Sequence, residues 1–389
     1  MKIHYIVPTF APNPTGFAIA FFNLVKAFEN NERLTEVIIY TPESEEPYIS
    51  DKVKYVYLKN LAKSNQLISK FGKLLGKFLT KVYLRKQLKS IEFVEGDLIF
   101  VESIFLSHIS VILANKYGQD NVITRIHGAL PEIAHWTKDP FRNRMMDFTL
   151  ELNNIAVTTY HYINYFHRYF NTKNVINTNY FIIPNTLPNI IIEEVRPSNS
   201  NNKIKLIQLG RMDKLGFFQK GFQDTLQALI YLEENLEFEF CENIELTIIG
   251  SGDFHNVYKK KLKKLKKVKV TVYESLSNTG VKKEVEESDL ILLPSRFEGM
   301  SMFATECISI GKPFIFTDDG GLCDMIFDEV NGLAVRPYDY LAIADAIMRY
   351  QKNPELLALH SLNSKKIFQE KFSYSKVSKL FDLMINVLK

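Results

Sequence analysis

The hydrophobic positions of the chain fall into short runs separated by turn residues and by longer amphipathic stretches. Each run is too short for a core helix and has the length of a buried strand. The runs cover residues 2–7, 36–41, 53–58, 97–101, 122–126, 155–159 and 180–183 in the first half, and 204–209, 244–249, 269–273, 290–293, 314–317 and 331–335 in the second. They predict the strands of the fold.

Apolar residues recur at helical spacing in the segments between these runs. The predicted helices cover residues 18–28, 104–117, 160–170, 223–234, 259–269, 301–310, 340–350, 354–370 and 373–389. Strands that alternate with helices predict βαβ units, and therefore parallel sheets and an α/β fold class. A chain of 389 residues has the length of two domains. The polar stretch 193–203, which contains Pro and has no periodicity, is the expected linker between domains at 1–192 and 204–372.

The composition is that of a globular protein and gives no indication of a nucleic-acid-binding or membrane-spanning one. Hydrophobic residues make up 46% of the chain and the net charge is only +4, which is typical of a globular protein with ordinary cores. The eight lysines within residues 259–269 have no aromatic residue between them, so we do not expect a nucleic-acid site there. Three cysteines without a C-x-x-C pair indicate buried thiols in a reducing compartment. No apolar run reaches the length of a membrane span, and we expect a cytoplasmic protein.

Residues 288–321 carry the clearest candidate chemistry. An apolar strand, 290–293, is followed by a loop and by a helix that begins near Ser301. Glu298 in the loop and Glu306 in the helix are separated by seven residues. Ligands of open α/β sheets lie beyond the carboxyl ends of the strands, and the backbone N–H groups at a helix start bind anions. Such a site would bind phosphate through the backbone amides of Gly299, Met300 and Ser301, and hydroxyl groups through the two carboxylates. This combination would suit a nucleotide-activated sugar. The alternative is a helix start at which acidic residues simply favour the helix dipole.

Cations follow the first strand of the C-terminal half. Gly210 allows a tight turn there, and Arg211 and Lys220 lie close to the proposed anion-binding loop. Two fixed positive charges would stabilise a diphosphate, most strongly as it leaves. Lys214 is a competing candidate for the second charge, and two surface cations near a turn remain the alternative interpretation. A second glycine turn, at Gly250, follows the next strand.

This second half resembles the GT-B retaining glycosyltransferases of family 4, whose signature is a pair of glutamates seven residues apart in this context. The resemblance implies that Glu298 contacts the transferred sugar and that Glu306 holds the nucleotide ribose. It also assigns Arg211 and Lys220 to the diphosphate, Gly210 and Gly250 to the donor site, and Leu276 to the position where the base stacks.

The first half resembles the same family more loosely. Residues 125–128, Arg-Ile-His-Gly, match a family motif whose histidine faces the transferred sugar, so His127 and Arg125 become candidate donor contacts. A histidine that only caps the next segment is the alternative. Gly16 matches a glycine turn that faces the donor diphosphate. His135 and Trp136 are candidates for the acceptor side. The resemblance also implies two doubly wound Rossmann-like domains that face a cleft and close on it to bring His127 to Glu298, with the final helix packed back on the N-terminal domain.

The expected function is therefore a retaining transfer of a hexose or N-acetylhexosamine, preferentially from a UDP-sugar, to a glycan, lipid-linked or other hydroxyl acceptor in surface polysaccharide or glycoconjugate synthesis. No Asp-x-Asp sequence occurs, and two cations can replace a metal, so we expect no cofactor and no metal. The alternatives are a non-catalytic partner subunit with this fold, or a sugar-nucleotide epimerase. The oligomeric state is left open.

Residues 63–89 form a basic amphipathic segment. Between Asp51 and Glu92 there are eleven Lys or Arg residues and no acidic residue. On one helix, the cations at 70, 73, 77, 81 and 85 would lie beside an apolar face. The functional hypothesis is peripheral docking on the anionic inner face of a membrane, where lipid-linked acceptors reside. The alternative is a surface helix whose apolar face is buried in the core.

Overall fold

The chain forms two compact units. The computed structural model describes residues 1–9, 16–42, 48–58, 61–88, 91–102, 104–127, 140–169, 178–192 and 203–389. The first unit comprises Met1–Asn189 with Lys371–Lys389, and the second comprises Ile190–Glu370. The stretch expected to link two domains, 193–203, lies outside the described residues except for Lys203.

The first unit is built on a parallel sheet of seven strands. They are β1 (Lys2–Ile6), β2 (Glu36–Thr41), β3 (Val53–Tyr57), β4 (Leu98–Glu102), β5 (Val122–Ile126), β6 (Asn154–Val157) and β7 (Asn179–Ile182). Their order in the sheet is β3-β2-β1-β4-β5-β6-β7, and all six pairings are parallel. Every residue of β4 and β5 is buried, because central strands of a parallel sheet are covered on both faces.

Helices connect these strands. They span Gly16–Glu29, Leu61–Leu88, Ser107–Tyr117, Pro140–Thr149, Tyr160–Tyr169 and, from the C-terminus, Tyr374–Leu388. The last of these packs on the first. The rings of Phe28 and Phe381 lie 4.6 Å apart, and the Asn31 amide donates to the Asp382 carboxylate at 2.8 Å. The hydroxyl of Thr186 donates to the carbonyl of Phe372 at 2.7 Å and fixes the chain where it returns to this unit.

The second unit contains a parallel sheet of six strands. They are β8 (Ile204–Leu209), β9 (Ile244–Ile249), β10 (Lys269–Tyr273), β11 (Leu290–Leu293), β12 (Phe314–Thr317) and β13 (Gly332–Val335), in the order β10-β9-β8-β11-β12-β13. The helices span Lys214–Gln219, Phe222–Asn235, Phe238–Cys241, His255–Leu262, Asn278–Glu287, Met302–Ser309, Tyr340–Lys352 and Pro354–Lys371. A core of apolar side chains from strands and helices closes around β8, β9 and β11.

The order of strands is the same in both units. Counted within each unit, the strands lie side by side in the order 3-2-1-4-5-6, and the first unit adds a seventh strand at the end. This is the doubly wound Rossmann arrangement. The predicted α/β fold class, with two such units in one chain, is confirmed. The change of direction falls between β1 and β4 in the first unit and between β8 and β11 in the second.

Several local expectations differ from the structure. The segment expected as one helix at 63–89 is broken at Gly72, whose φ is 77° and ψ is −173°. The helix expected at 259–269 spans His255–Leu262, and helices such as Lys214–Gln219 and Asn278–Glu287 were not predicted. Cys241 and Cys307 are buried, whereas Cys323 is only half-buried. Within the described ranges, no helix is both long enough and apolar enough to cross a bilayer.

Candidate functional site

The candidate site of the second unit lies at the point where its sheet changes direction. β8 and β11 are neighbours there. The strand that follows β8 in the chain lies on one side of this pair, and the strand that follows β11 lies on the other. A crevice therefore opens between the loops that follow them, and ligands of doubly wound sheets bind in this crevice. The loop after β8 begins at Gly210, and the loop after β11 carries Glu298. Residues far apart in sequence are brought to one place by this topology.

Lys220 and Glu298 form an ion pair in this crevice. The Lys220 ammonium donates to Oε1 of Glu298, and the hydroxyl of Ser295 donates to the same oxygen at 3.2 Å. The two paired side chains are only 19% and 9% exposed. Gly210 makes room for the lysine, because a Cβ at that position would lie 2.6 Å from Cγ of Lys220. The ammonium group of Lys220 is thus held, mostly desolvated, at the carboxyl edge of the sheet.

A turn at Gly221 aims Lys220 at the loop after β11. Gly221 has a φ of 67° and ends the turn that precedes the helix Phe222–Asn235. A Cβ there would lie 2.0 Å from the carbonyl oxygen of Pro294, so only glycine fits. The backbone N–H of Arg296 donates to the Gln219 carbonyl at 2.8 Å, which binds the turn to the loop. The position of Lys220 is therefore set by backbone contacts.

The start of the helix Met302–Ser309 forms another side of the site. Ser301 caps this helix, and its hydroxyl accepts from the Ala304 N–H at 3.3 Å. A helix start carries partial positive charge on its first N–H groups. The loop of Gly299 and Met300 leads directly into it, and both residues are buried. The backbone N–H of Gly321 donates to the Glu298 carbonyl at 2.7 Å and holds this loop.

Glu306 lies on the second turn of the same helix and remains exposed to solvent. Partial burial of its carboxyl group nevertheless raises the pKa above the ordinary value of 4.5. A carboxylate that is both accessible and partly desolvated is a strong acceptor for hydroxyl groups.

The other two cations of this region are placed differently. Arg211 is exposed, with 62% of its side chain accessible, and it forms an ion pair with Asp213 at 3.2 Å. Lys214 begins the helix Lys214–Gln219 and lines an apolar cavity with Phe217, Phe218 and Phe254. Lys220, and not the competing Lys214, lies beside Glu298 in this structure. Arg211 is accessible to an incoming anion.

Two further turns border the crevice. The carbonyl oxygen of Gly210 would lie 2.3 Å from a Cβ at position 250, so Gly250 allows the loops after β8 and β9 to pack closely. The backbone N–H of Gly250 donates to the carbonyl oxygen of Tyr273 at the end of β10. Leu276 follows β10 and contacts the helix that starts after Ser277. Both Gly250 and Leu276 therefore lie in loops at the carboxyl edge of the sheet.

Arg125 in the first unit is fully buried in a polar network. Its guanidinium donates to the Glu102 carboxylate at 2.8 Å, to the Ile183 carbonyl at 2.9 Å and to the Asn185 side chain at 3.0 Å. The hydroxyl of Tyr5 donates to the same oxygen of Glu102 at 2.8 Å. A direct contact of Arg125 with a donor was expected, whereas its guanidinium is directed to protein partners in this structure. The contact with a donor stays a prediction.

His127 continues from β5 and is held between two rings of the helix Gly16–Glu29. Its imidazole lies 5.0 Å from the ring of Phe17 and 5.6 Å from that of Phe21. Burial, with a contribution from Arg125, lowers the pKa of His127 well below its usual value. Nδ1 lies 3.5 Å from a guanidinium nitrogen of Arg125. Since a guanidinium can only donate, this contact assigns the imidazole proton to Nε2.

The remaining candidates of the first unit are less constrained. Gly16 is the exposed first residue of its helix, and a Cβ there would meet no atom of the described residues within 4 Å. His135 and Trp136 lie outside the described residues. Among the residues that the structure describes, no group of three His, Cys, Asp or Glu side chains could hold a metal ion.

Sequence reasoning missed three residues that support these sites. Ser295 bonds Glu298, Glu102 neutralises Arg125, and Arg296 is a buried cation that donates to Asp224 at 2.8 Å. An acidic residue ending an otherwise apolar strand, as Glu102 does, was the available signal for a buried charge. Ser295 and Arg296 carried no signal of their own, because their partners depend on how the loops fold.

Parts of the chain are similar in sequence to glycosyltransferases. Residues 191–366 match the family model for glycosyl transferases group 1. An uncharacterized glycosyltransferase of Methanocaldococcus jannaschii is 28% identical over 163 residues, which are 42% of this chain and 40% of the relative. Alpha-D-kanosaminyltransferase of Streptomyces kanamyceticus is 28% identical over 107 residues, 28% of either chain. The matches thus span less than half the length of these relatives.

Solved structures resemble the whole chain. Sucrose-phosphate synthase from Thermosynechococcus elongatus has a TM-score of 0.72 and 17% identity, with 100% of this chain and 99% of that chain covered. Anabaena HepE in complex with UDP has a TM-score of 0.67 and 14% identity, with 100% of both chains covered. At these identities the likeness establishes the fold, which is GT-B.

Proposed function

Because residues 191–366 match the family model for glycosyl transferases group 1, we propose that this chain is a retaining glycosyltransferase. It moves a hexose or N-acetylhexosamine from a nucleoside diphosphate sugar, with UDP favoured, to a hydroxyl group of a glycan or lipid-linked acceptor. The observation that carries this proposal is the desolvated pair of Lys220 and Glu298 at the carboxyl edge of β8 and β11. A cation in that position lies in the crevice where doubly wound sheets bind their ligands.

The reaction breaks the bond between the anomeric carbon and the diphosphate. Negative charge grows on the departing diphosphate, so fixed positive groups stabilise the transition state more than the ground state. In our proposal Lys220 and Arg211 contact the diphosphate, together with backbone N–H groups of Gly299, Met300 and Ser301. Lys220 is already oriented by Glu298, which reduces the reorganisation needed when a donor binds. No covalent nucleophile is assigned.

The nucleoside and the sugar are assigned to other residues. Glu306 accepts hydrogen bonds from the ribose hydroxyl groups, Leu276 contacts the base, and Gly250 with Gly210 allows the backbone to approach the donor. Glu298 bonds the transferred sugar through its carboxylate. His127 does so through Nε2–H, and Arg125 positions His127. Gly16 leaves space beside the donor at the start of its helix.

The proposed transfer needs no metal ion, since the two cations supply the charge that a metal would supply. The proposed setting is surface polysaccharide or glycoconjugate synthesis at the cytoplasmic side of a membrane. Donor consumption measured with and without a hydroxyl acceptor, in the presence of EDTA, tests these statements. Acceptor-dependent release of the nucleotide supports transfer. Conversion of the donor without acceptor would indicate an epimerase, and no conversion a non-catalytic subunit.

Glu306→Ala is expected to weaken binding of the donor nucleotide by about 10- to 100-fold, because hydrogen bonds to a charged acceptor contribute about 1.5–3 kcal/mol. Isothermal titration with UDP-sugar or UDP measures the change. Glu355→Ala is the matched control, since Glu355 is an exposed acidic residue in the first turn of another helix. Wild-type affinity in Glu306→Ala would remove Glu306 from the site.

Donor binding should also weaken as the solution becomes acidic. The pKa of Glu306 is raised by burial, so its carboxylate is lost at a higher pH than that of an ordinary glutamate. Below this raised pKa the carboxyl group is neutral and accepts more weakly from the ribose. Glu306→Gln does not titrate, and its affinity should lack this step when titrations from pH 7.5 downward are compared. An identical pH profile for the two proteins would contradict the assignment.

A further inference from the structure

The helical segment Leu61–Leu88 consists of two parts that behave differently. Gly72 separates them with a φ of 77°, a conformation that favours glycine. The inner part precedes Gly72 and is attached to the first unit. Ile68 is fully buried in its core, and the Arg144 guanidinium donates to the carbonyls of Ile68 and Ser69 at 3.2 and 3.1 Å. The outer part follows Gly72.

The outer part turns its small residues toward the protein. Gly76 and Thr80 are both buried, and a Cβ at position 76 would lie 2.8 Å from Cα of Ile68. The two parts therefore cross closely at Gly76. The large apolar side chains at 74, 75, 78 and 82 lie on other sides of the helix than Gly76 and Thr80.

Those large side chains are apolar and exposed. Leu74 is 85% exposed, Leu75 52%, Phe78 61% and Val82 58%. At about 100° per residue they share a sector of roughly 100°. A surface helix normally turns such a sector toward the core, so the core-facing alternative holds for Ile68 but not for the outer part. A contiguous exposed patch of this kind marks an interaction surface.

The charge around the patch indicates its partner. From Leu61 to Leu88 the sequence contains seven Lys or Arg residues and no acidic residue. A second copy of this chain would bring the same cationic patch against itself across a two-fold axis, with repulsion between like charges. An anionic lipid surface instead attracts the cations and accepts the apolar side chains between its headgroups.

We propose that the outer part, residues 73–88, binds the headgroup layer of an anionic bilayer through Leu74, Leu75, Phe78 and Val82. The turn at Gly72 separates this part from the inner part, which Ile68 and Arg144 keep attached to the first unit. The proposal concerns attachment to the membrane and does not depend on the transferase reaction.

Vesicle flotation of the full chain tests the proposal. The vesicles contain phosphatidylcholine, either alone or with about one third phosphatidylglycerol. We expect the protein to float with the anionic vesicles at low salt, to float less at about 0.5 M salt, and to stay behind with the neutral ones. Absence of binding to anionic vesicles at low salt would overturn the proposal.

A pair of double variants assigns the binding to the patch. Leu74→Ser with Phe78→Ser should lower the apparent vesicle affinity about tenfold or more, since two exposed apolar side chains no longer enter the lipid. Leu383→Ser with Val387→Ser is the matched control, because these residues are 60% and 66% exposed on a different helix. Equal binding by both double variants would exclude the patch.

Two further readouts separate this surface from other roles. Consumption of the donor with a short soluble acceptor should be the same in wild type and in Leu74→Ser with Phe78→Ser, so that loss of vesicle binding is distinguished from loss of activity. Light scattering measures the oligomeric state of both. The wild type could form a dimer and fail to bind vesicles, while the double variant is a monomer. That result would assign the patch to a second copy of the chain and contradict the proposal.

Discussion

Lys220→Ala is expected to lower kcat for glycosyl transfer about 100- to 1,000-fold, which is the usual effect of removing one preorganised group that stabilises developing negative charge. Lys220 is held at the carboxyl edge of β8 and β11 by Glu298 and by the turn at Gly221. Its side chain is only 19% exposed. An ammonium group in that setting acts more strongly on a diphosphate than one in water. Initial rates of donor consumption at saturating acceptor measure the effect.

Lys214→Ala is the matched control for that variant. Lys214 lies six residues earlier, is exposed, and borders the cavity of Phe217 and Phe218 instead of Glu298. We expect its kcat to stay within about threefold of wild type, as is usual for a surface substitution with little effect on the free energy. Because Lys220→Ala leaves the Glu298 carboxylate unpaired, unfolding is followed by circular dichroism and rates are compared below the transition. A larger loss in Lys214→Ala than in Lys220→Ala would exchange their roles.

Arg125→Met is expected to destabilise the first unit by about 3–5 kcal/mol, because it leaves the Glu102 carboxylate buried without its cation. Glu102 is fully buried, and burial raises its pKa although Arg125 opposes the shift. The substitution also removes the donors to Ile183 and Asn185. For a unit of this size the transition temperature should fall by about 6–20 °C in differential scanning calorimetry.

Two comparison variants isolate the cause of that loss. Arg211→Met removes a guanidinium that is mostly exposed and should change the free energy of unfolding by less than about 1 kcal/mol. Adding Glu102→Gln to Arg125→Met removes the uncompensated charge and should recover part of the stability. If Arg125→Met unfolds at the wild-type temperature, the buried network does not support the fold as described.

The parallel sheets could be predicted from sequence because their signals are local. A short apolar run such as β11 is a buried strand, and Pro294 ends it. Ser301 is a residue type that caps helices, and it does start the helix that carries Glu306. Alternation of such units restricts the fold to few arrangements. The loops after the strands then had to meet at one edge of each sheet, which located the candidate site.

The pairing of charges could not be predicted in the same way. Lys220 and Glu298 are 78 residues apart, and both Lys220 and Lys214 suited the sequence. Lys220 directly precedes the turn at Gly221, which packs against the carbonyl group of Pro294 in a loop distant in sequence. Such contacts depend on how separate loops pack, so sequence spacing alone does not settle them.

Arg125 shows the same limit in the first unit. Residues two apart on a strand point to the same side, so Arg125 and His127 looked equivalent as ligand contacts. The register of the sheet places Glu102 of β4 directly beside Arg125 of β5. That neighbour draws the guanidinium into the protein, while His127, beyond the end of the strand, lies against Phe17 and Phe21. The difference arises from strand pairing.

The break of the helix at Gly72 could not be predicted from the periodicity of apolar and basic residues either. The spacing of apolar and basic residues continues through it as if the helix were uninterrupted, and a single glycine within a helical pattern is usually tolerated. The close approach of Gly76 to Ile68 is a tertiary contact. It decides which apolar residues are buried and which remain exposed.

Titration of the wild-type chain with UDP and with GDP, followed by isothermal calorimetry, tests most directly whether the second unit receives a nucleoside diphosphate. We expect saturable binding of at least one nucleotide at a single site, weakened about tenfold or more by Lys220→Ala and unchanged by Lys214→Ala. Absence of binding by both nucleotides at millimolar concentration, or equal affinity in Lys220→Ala and wild type, would contradict it.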